Sequence, residues 1–259
     1  LFSGPVFFAD LEINDFQLNN EKIGDISLYS NWDNHTEKIF LRSSVKRGKL
    51  KSVELKGDFT PKSKQLNFNL AMDKFRLNAL ETFLEGTISQ VRGIAGGNIT
   101  INGSFEEPIV LGKLKLQKTS FTIDYLQTRY NFTDNIIISN NSFEFNSVKL
   151  YDIYGNKAMM NGTIEHTFLK NFKFNIDLDA NNFLFMNTTT KDNELFYGKA
   201  MATGIVAIKG DEKNIIMDVS ARTEKDTKLF IPLNLIIFII YEMNFIFIFN
   251  YFNSYLDLL

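Results

Sequence analysis

The chain contains no cysteine, so neither a disulfide nor a thiolate metal site can be built from it. Histidine occurs twice, at His35 and His166, too sparsely for an imidazole-based metal centre. His166 follows Ile164-Glu165 at the end of an alternating run and is read as a surface imidazole. No excess of one charge exists either. The 28 Lys and Arg face 30 Asp and Glu, a net charge of −2, which leaves no electrostatic footprint for nucleic acid. Proline is scarce, 4 residues against 26 phenylalanines, a balance that favours strands over a disordered chain. Leu1 replaces an initiator methionine, so the chain is expected to be a piece of a longer protein.

What the chain does have is alternation. Leu66, Phe68, Leu70 and Met72 take every second place, as do Phe121, Ile123 and Tyr125 further on. The longest clean run is Phe172, Phe174, Ile176 and Leu178, with Lys173, Asn175, Asp177 and Asp179 between them. Polar clusters such as Asn19-Asn20-Glu21-Lys22 and Tyr154-Gly155-Asn156 separate the runs as turns. The pattern predicts an all-β protein, a long antiparallel sheet of about fifteen strands. The period changes once, at residues 78–92, where Leu80, Phe83, Leu84, Ile88 and Val91 have helical spacing. Asn78 and Glu81 resemble a capping box, and Gly93 is placed to close the far end. One short helix is therefore expected near residues 78–92. It divides a strand segment, residues 1–76, from a second β region over 94–234, with 77–93 as the helical junction.

Residues 93–116 (GIAGGNITINGSFEEPIVLGKLKL) hold the recurring design. A glycine turn is expected at Gly93 to Gly97, then a strand with Ile99 and Ile101 on one face. Gly103 stands on that apolar face where a large side chain is expected. Pro108 marks a turn, and after Gly112 a second strand sets Leu114 and Leu116 against Lys113 and Lys115. Residues 235–259 depart from this grammar, with Glu242 and Asp257 as the charges in a long apolar string. They are expected to reflect a frame or truncation error, with a transmembrane segment as the alternative.

Catalytic chemistry finds no footing. Glu106-Glu107 precede Pro108 in a solvated turn, and Asp177 and Asp179 lie on a polar strand face. The glycines at 93, 96 and 97 are not followed by the Lys-Ser/Thr of a phosphate cradle. No nucleophile, base and acid set is visible, so the expectation is a protein that is not an enzyme and uses no cofactor and no metal.

The order of these elements resembles the C-terminal domain of the TamB family, the inner-membrane half of the translocation and assembly module. The resemblance rests on residues 93–116 after the helical stretch, then Tyr154-Gly155-Asn156-Lys157-Ala158 and Gly162-Thr163-Ile164-Glu165-His166. It continues through Asn187-Thr188-Thr189-Thr190-Lys191-Asp192-Asn193, Leu195-Phe196-Tyr197-Gly198 and Ala202-Thr203-Gly204, and closes at Phe230-Ile231-Pro232-Leu233. It implies a β-taco, a sheet folded lengthwise into a U-shaped apolar groove, related more distantly to AsmA-like bridge proteins. It also implies a periplasm-spanning protein, anchored in the inner membrane by an N-terminal helix outside this chain. Its partners are expected to be a TamA-like outer-membrane protein of the Omp85 class, outer-membrane protein clients and phospholipid acyl chains. The implied roles are outer-membrane protein assembly or secretion and phospholipid transport.

Alternation assigns Phe68, Leu70, Ile99, Ile101, Phe121, Ile123, Phe172, Phe174, Ile176 and Val206 to the lining of such a groove. At about 4.8 Å per strand the trough is roughly 70 Å long. An outer-membrane β-barrel and a closed β-solenoid or adhesin segment are the alternatives.

Overall fold

The structure is a computed structural model that describes residues 8–18, 21–84, 86–168, 170–192, 196–211, 214–231 and 247–249. It opens with β1 (Phe8–Leu18), β2 (Glu21–Asp33), β3 (Lys38–Arg47), β4 (Leu50–Thr60) and β5 (Gln65–Arg76). A 3₁₀ helix, Leu77–Leu84, precedes β6 (Ile88–Ser104), β7 (Pro108–Ile123), β8 (Thr128–Ser139), β9 (Ser142–Tyr151) and β10 (Lys157–Thr167). The longest strand, β11 (Lys170–Thr188), leads to β12 (Tyr197–Asp211), β13 (Ile215–Thr223), β14 (Lys228–Phe230) and β15 (Phe247–Phe249).

All fifteen strands belong to one open sheet, with β1 to β13 side by side in chain order. Each is antiparallel to the next, β14 returns to the Tyr197 end of β12, and β15 lies parallel to β13. The expected all-β, taco-like sheet is what the chain forms. Because every hairpin joins sequence neighbours, the connections fall alternately on two long rims. The first rim carries the β1–β2, β3–β4, β5–β6, β7–β8, β9–β10 and β11–β12 connections. The second carries the β2–β3, β4–β5, β6–β7, β8–β9, β10–β11 and β12–β13 connections, and the β13–β14 turn at 224–227 returns to the first rim.

The helix is shorter than its spacing predicts. It ends at Leu84, Gly86 takes a φ of +82°, and Ile88–Ser104 is one continuous strand. Ile88 pairs with Ile123 and Ser89 with Thr122, so the expected boundary at residues 93–94 falls inside β6. The cause is a bulge between Ser89 and Arg92, with Gln90 at a φ of +52°. The extra residue gives the inward side chains Ile88 and Val91 a three-residue spacing, which mimics a helix in sequence. The expectation for residues 235–259 lies outside the described residues, Phe247–Phe249 excepted.

Two packed clusters stabilise the curl. Beneath the 3₁₀ helix, Leu77, Val91 and Ala95 pack with Met72, Ile88, Leu116 and Phe121. Further along, Tyr130, Phe132, Val148, Leu150, Ala158, Ala180 and Phe183 form the larger core.

Candidate functional site: the apolar face of the sheet

Residues directly opposite one another in an antiparallel pair share a face, so strand register decides what lines the groove. From β1 to β12 one row runs Leu11, Leu28, Ser43, Leu55, Leu70, Ile99. It continues through Gly112, Ile138, Phe143, Ile164, Phe174 and Gly210. Ser43 is its one polar member. A flanking row, Ala9, Ser30, Leu41, Gly57, Phe68, Ile101 and Val110, spans β1 to β7. On the other side Ile13, Ile26, Val45, Val53, Met72, Gly97, Leu114 and Ile136 reach β8.

The expected lining residues are distributed over these rows and the packed end. Phe68 stands opposite Ile101, and Leu70 opposite Ile99. Phe174 and Ile176 share the face with Leu178, across from Gly210, Ile208 and Val206. Phe172 stacks edge-on to His166, ring centroids 6.1 Å apart. Phe121 and Ile123 lie opposite Tyr130 and Thr128 and pack against the larger core, which takes them into the protein's own interior. Ile99 and Val206 are buried and the other eight half-buried, while Lys173, Asn175, Asp177 and Asp179 on the far face are exposed. Half-burial of so many large side chains describes a face without a second protein layer over it among the described residues.

The expected glycine turns are not turns. Gly93, Gly97 and Gly103 lie inside β6 and Gly112 inside β7, while Pro108 opens β7 after the bend at residues 105–107. Their role is close approach. A Cβ at Gly97, where φ is +147°, would meet the Lys113 carbonyl oxygen at 2.2 Å. A Cβ at Gly57 would stand 2.6 Å from the ring of Phe68, its partner across the strands. Glycine opposite a large residue lets that side chain lie flat over the neighbouring strand and lets the sheet bend there. Turn glycines and strand glycines look alike in sequence, so this was not legible from composition.

Between β8 and β11 the groove is closed at the first rim. The β8–β9 ladder is interrupted between Asn131 and Ile137, and β9 and β10 stop short at Tyr151 and Lys157 while β11 runs on to Thr188. Across this gap the N–H of Asn187 donates to the Leu126 carbonyl at 3.0 Å. The Tyr130 hydroxyl donates to the Leu184 carbonyl at 2.9 Å, and its ring stacks on Phe183 with centroids 5.0 Å apart. Burial pushes the Tyr130 phenol above the ordinary tyrosine range, so it stays a donor.

Asp152 ties the closure together and is 1% exposed. Its Oδ1 accepts from the N–H groups of Tyr154 and Asn156, both at 2.9 Å. Its Oδ2 accepts from Asn156 Nδ2 at 3.1 Å and from the Leu184 N–H at 3.0 Å. Reading Tyr154-Gly155-Asn156 as a turn missed this residue. The available signal was an Asp placed to accept from backbone two and four residues on, an Asx-turn pattern.

Toward the second rim the face stays open. A surface concavity of about 310 Å³ near the second rim belongs mainly to the polar far face, lined by Glu165, Lys173, Asn175 and Asp211 with Phe174 and Gly210. His166 is not at the surface as expected. It is 5% exposed between Phe143 and Phe172, and burial lowers its pKa from the usual value. Glu106 pairs with Lys64 at 3.0 Å in exposed turns. Among the described residues no group of three or more His, Asp or Glu is placed to hold a metal ion.

Fold and site together define an open-sheet protein with an apolar groove. Comparison with known proteins returns no matching family model, no matching curated protein and no matching solved structure.

Proposed function

We propose that the chain is part of a TamB-like, non-enzymatic component that bridges the inner and outer membranes. In this reading the groove carries phospholipid through the periplasm, and the sheet serves outer-membrane protein assembly and secretion with a TamA-like partner. The observation that carries it is the apolar row from Leu11 to Gly210, unbroken through twelve strands except at Ser43. An acyl chain of about 20 Å spans four strands at about 4.8 Å each. With half of each methylene shielded, at about 0.4 kcal/mol apiece, a sixteen-carbon chain gains about 6 kcal/mol. That is enough to hold a lipid and weak enough to let it slide.

The assembly role needs an unpaired strand edge, because an incoming strand binds by adding to a ladder. β1 offers one, since β2 is its only neighbour among the described residues. In the alternative barrel reading β1 would close on a far strand instead.

Native mass spectrometry with lipid extraction on the purified chain tests the transport half. Phospholipid should co-purify, and Ile101→Asp or Phe174→Asp should release it while circular dichroism stays that of a sheet. A folded protein free of lipid in all three forms refutes the conduit.

A further inference from the structure

We propose that the first rim of the sheet is a membrane-contact surface that seats at the headgroup–acyl boundary of a lipid bilayer. The first rim includes polar turns at 189–192 and 224–227, but beside them it exposes a larger set of apolar side chains than the second. On the first, Leu80 and Leu84 of the 3₁₀ helix are exposed, as is Tyr125 in the β7–β8 turn. In the β9–β10 loop Ile153 and Tyr154 are 52% and 55% exposed. Phe230, 50% exposed, stacks on Tyr197 at the same rim, with ring centroids 5.1 Å apart. On the second rim the described turn residues at 34–37, 61–64 and 140–141 are polar apart from Pro61, and Phe105 and Phe168 are the exposed large apolar residues of its turns.

The aromatic groups around the start of β12 adjoin one another. Tyr125 packs on Phe196, and the Lys199 ammonium sits 4.4 Å from the Tyr154 ring centroid. Lys199 is in turn opposite Lys228, one residue before Leu229 and Phe230. Exposed apolar surface in this amount marks a contact site. Its composition fits a bilayer: tyrosines with an apolar ring and a polar tip, aliphatic and phenyl groups, and lysines at phosphate level. A rim bearing its apolar side chains on turns needs no matching pocket in a partner, only a fluid surface to sink into.

The inference deepens the lipid reading above and rests on it for the kind of partner. The absence of cysteine makes the test clean, because one introduced thiol takes one label. An environment-sensitive fluorophore is attached in the full chain at Ile153→Cys or Phe230→Cys, and on the opposite rim at Lys62→Cys or Glu107→Cys. The probe is vesicles of phosphatidylethanolamine and phosphatidylglycerol, with and without brominated acyl chains. At 153 and 230 the emission should shift to the blue and fall about twofold or more with brominated lipid, while 62 and 107 stay unchanged. Equal response at both rims overturns the proposal, as does no response at 153 and 230. A protein-binding rim or a chain held only through residues 235–259 gives that second result. Lipid retained in native mass spectra reports the groove without vesicles, so the two readings fail separately.

Discussion

Replacing Asp152 by Asn is the sharpest perturbation of the closed rim. The shape of the side chain is kept, but one acceptor oxygen becomes an NH₂ donor. Whichever way the amide turns, two of the four donors around it lose their acceptor. With Oδ1 kept on Tyr154 and Asn156, the NH₂ faces the Leu184 N–H, which has no water to turn to because Leu184 is fully buried. The Asn156 side chain can flip and recover one bond. Hydrogen bonds to a charged group contribute about 1.5–3 kcal/mol each, and a buried donor left unpaired costs about 1–3 kcal/mol. The expected loss is about 2–4 kcal/mol for the β8–β11 closure. Amide hydrogen exchange reads it directly. Protection at Leu184 and Asn187 should fall about 30- to 700-fold, with smaller change at the amides of β3, far along the sheet. Protection at Leu184 within about threefold of the parent would show that the carboxylate is not what holds the rim shut.

Two further perturbations separate backbone from side-chain causes. Gly97→Ala forces a side chain onto a φ of +147° and against the Lys113 carbonyl, and should cost about 2–4 kcal/mol in urea unfolding. Its neighbour Gly96, where a Cβ would meet only the Met72 carbonyl oxygen at 3.7 Å, should accept Ala with a gain of about 0.4–1 kcal/mol. Equal effects at the two positions would refute the close-approach reading. His166 sets a pH dependence: burial lowers its folded pKa below the ordinary 6.5. The unfolded chain therefore binds the proton more tightly, so this stability is complete above pH 6.5 and is lost as pH falls through the lower folded value. Urea midpoints between about pH 6.5 and 5 should fall less steeply in His166→Gln. An unchanged slope sinks the assignment.

Much of the fold was legible because alternation is a direct image of the pleat. Phe172, Phe174, Ile176 and Leu178 sit on the inner face as spaced, with Lys173 to Asp179 outside. Bulges are where that image fails, since one extra residue shifts the phase without changing the composition. The Ser89–Arg92 bulge turned a strand into an apparent helix, and the bulge between Leu116 and Thr119 moved Phe121 into the packed core. Long-range partners were the second gap. Nothing near Asp152 in the chain shows that Leu184, thirty-two residues on, supplies its fourth donor. His166 looked exposed for the same reason, as Phe143 and Phe172 close over it from two other strands.

In the proposed conduit, the closed rim and the open one would set where a lipid lies. Rows that include Leu70, Ile99, Ile138, Phe143 and Phe174 pass from β5 to β11 without entering the Tyr130–Phe183 core. Glycines recur along them opposite large residues, at Gly57, Gly112 and Gly210. In the proposed conduit an acyl chain would meet glycine backbone and half-buried rings by turns, in partial contact along its whole length. Uniform weak contact favours movement along the sheet over residence at one site, because a deep well would raise the barrier to the next step. Across the β8–β11 segment the Asn187–Leu126 and Asp152–Leu184 bonds close the first-rim side and would leave the second-rim side for such movement. In the proposed conduit an acyl chain crossing there would meet Ile138, Phe143, Ile164 and Phe174, which stand opposite one another across β8 to β11.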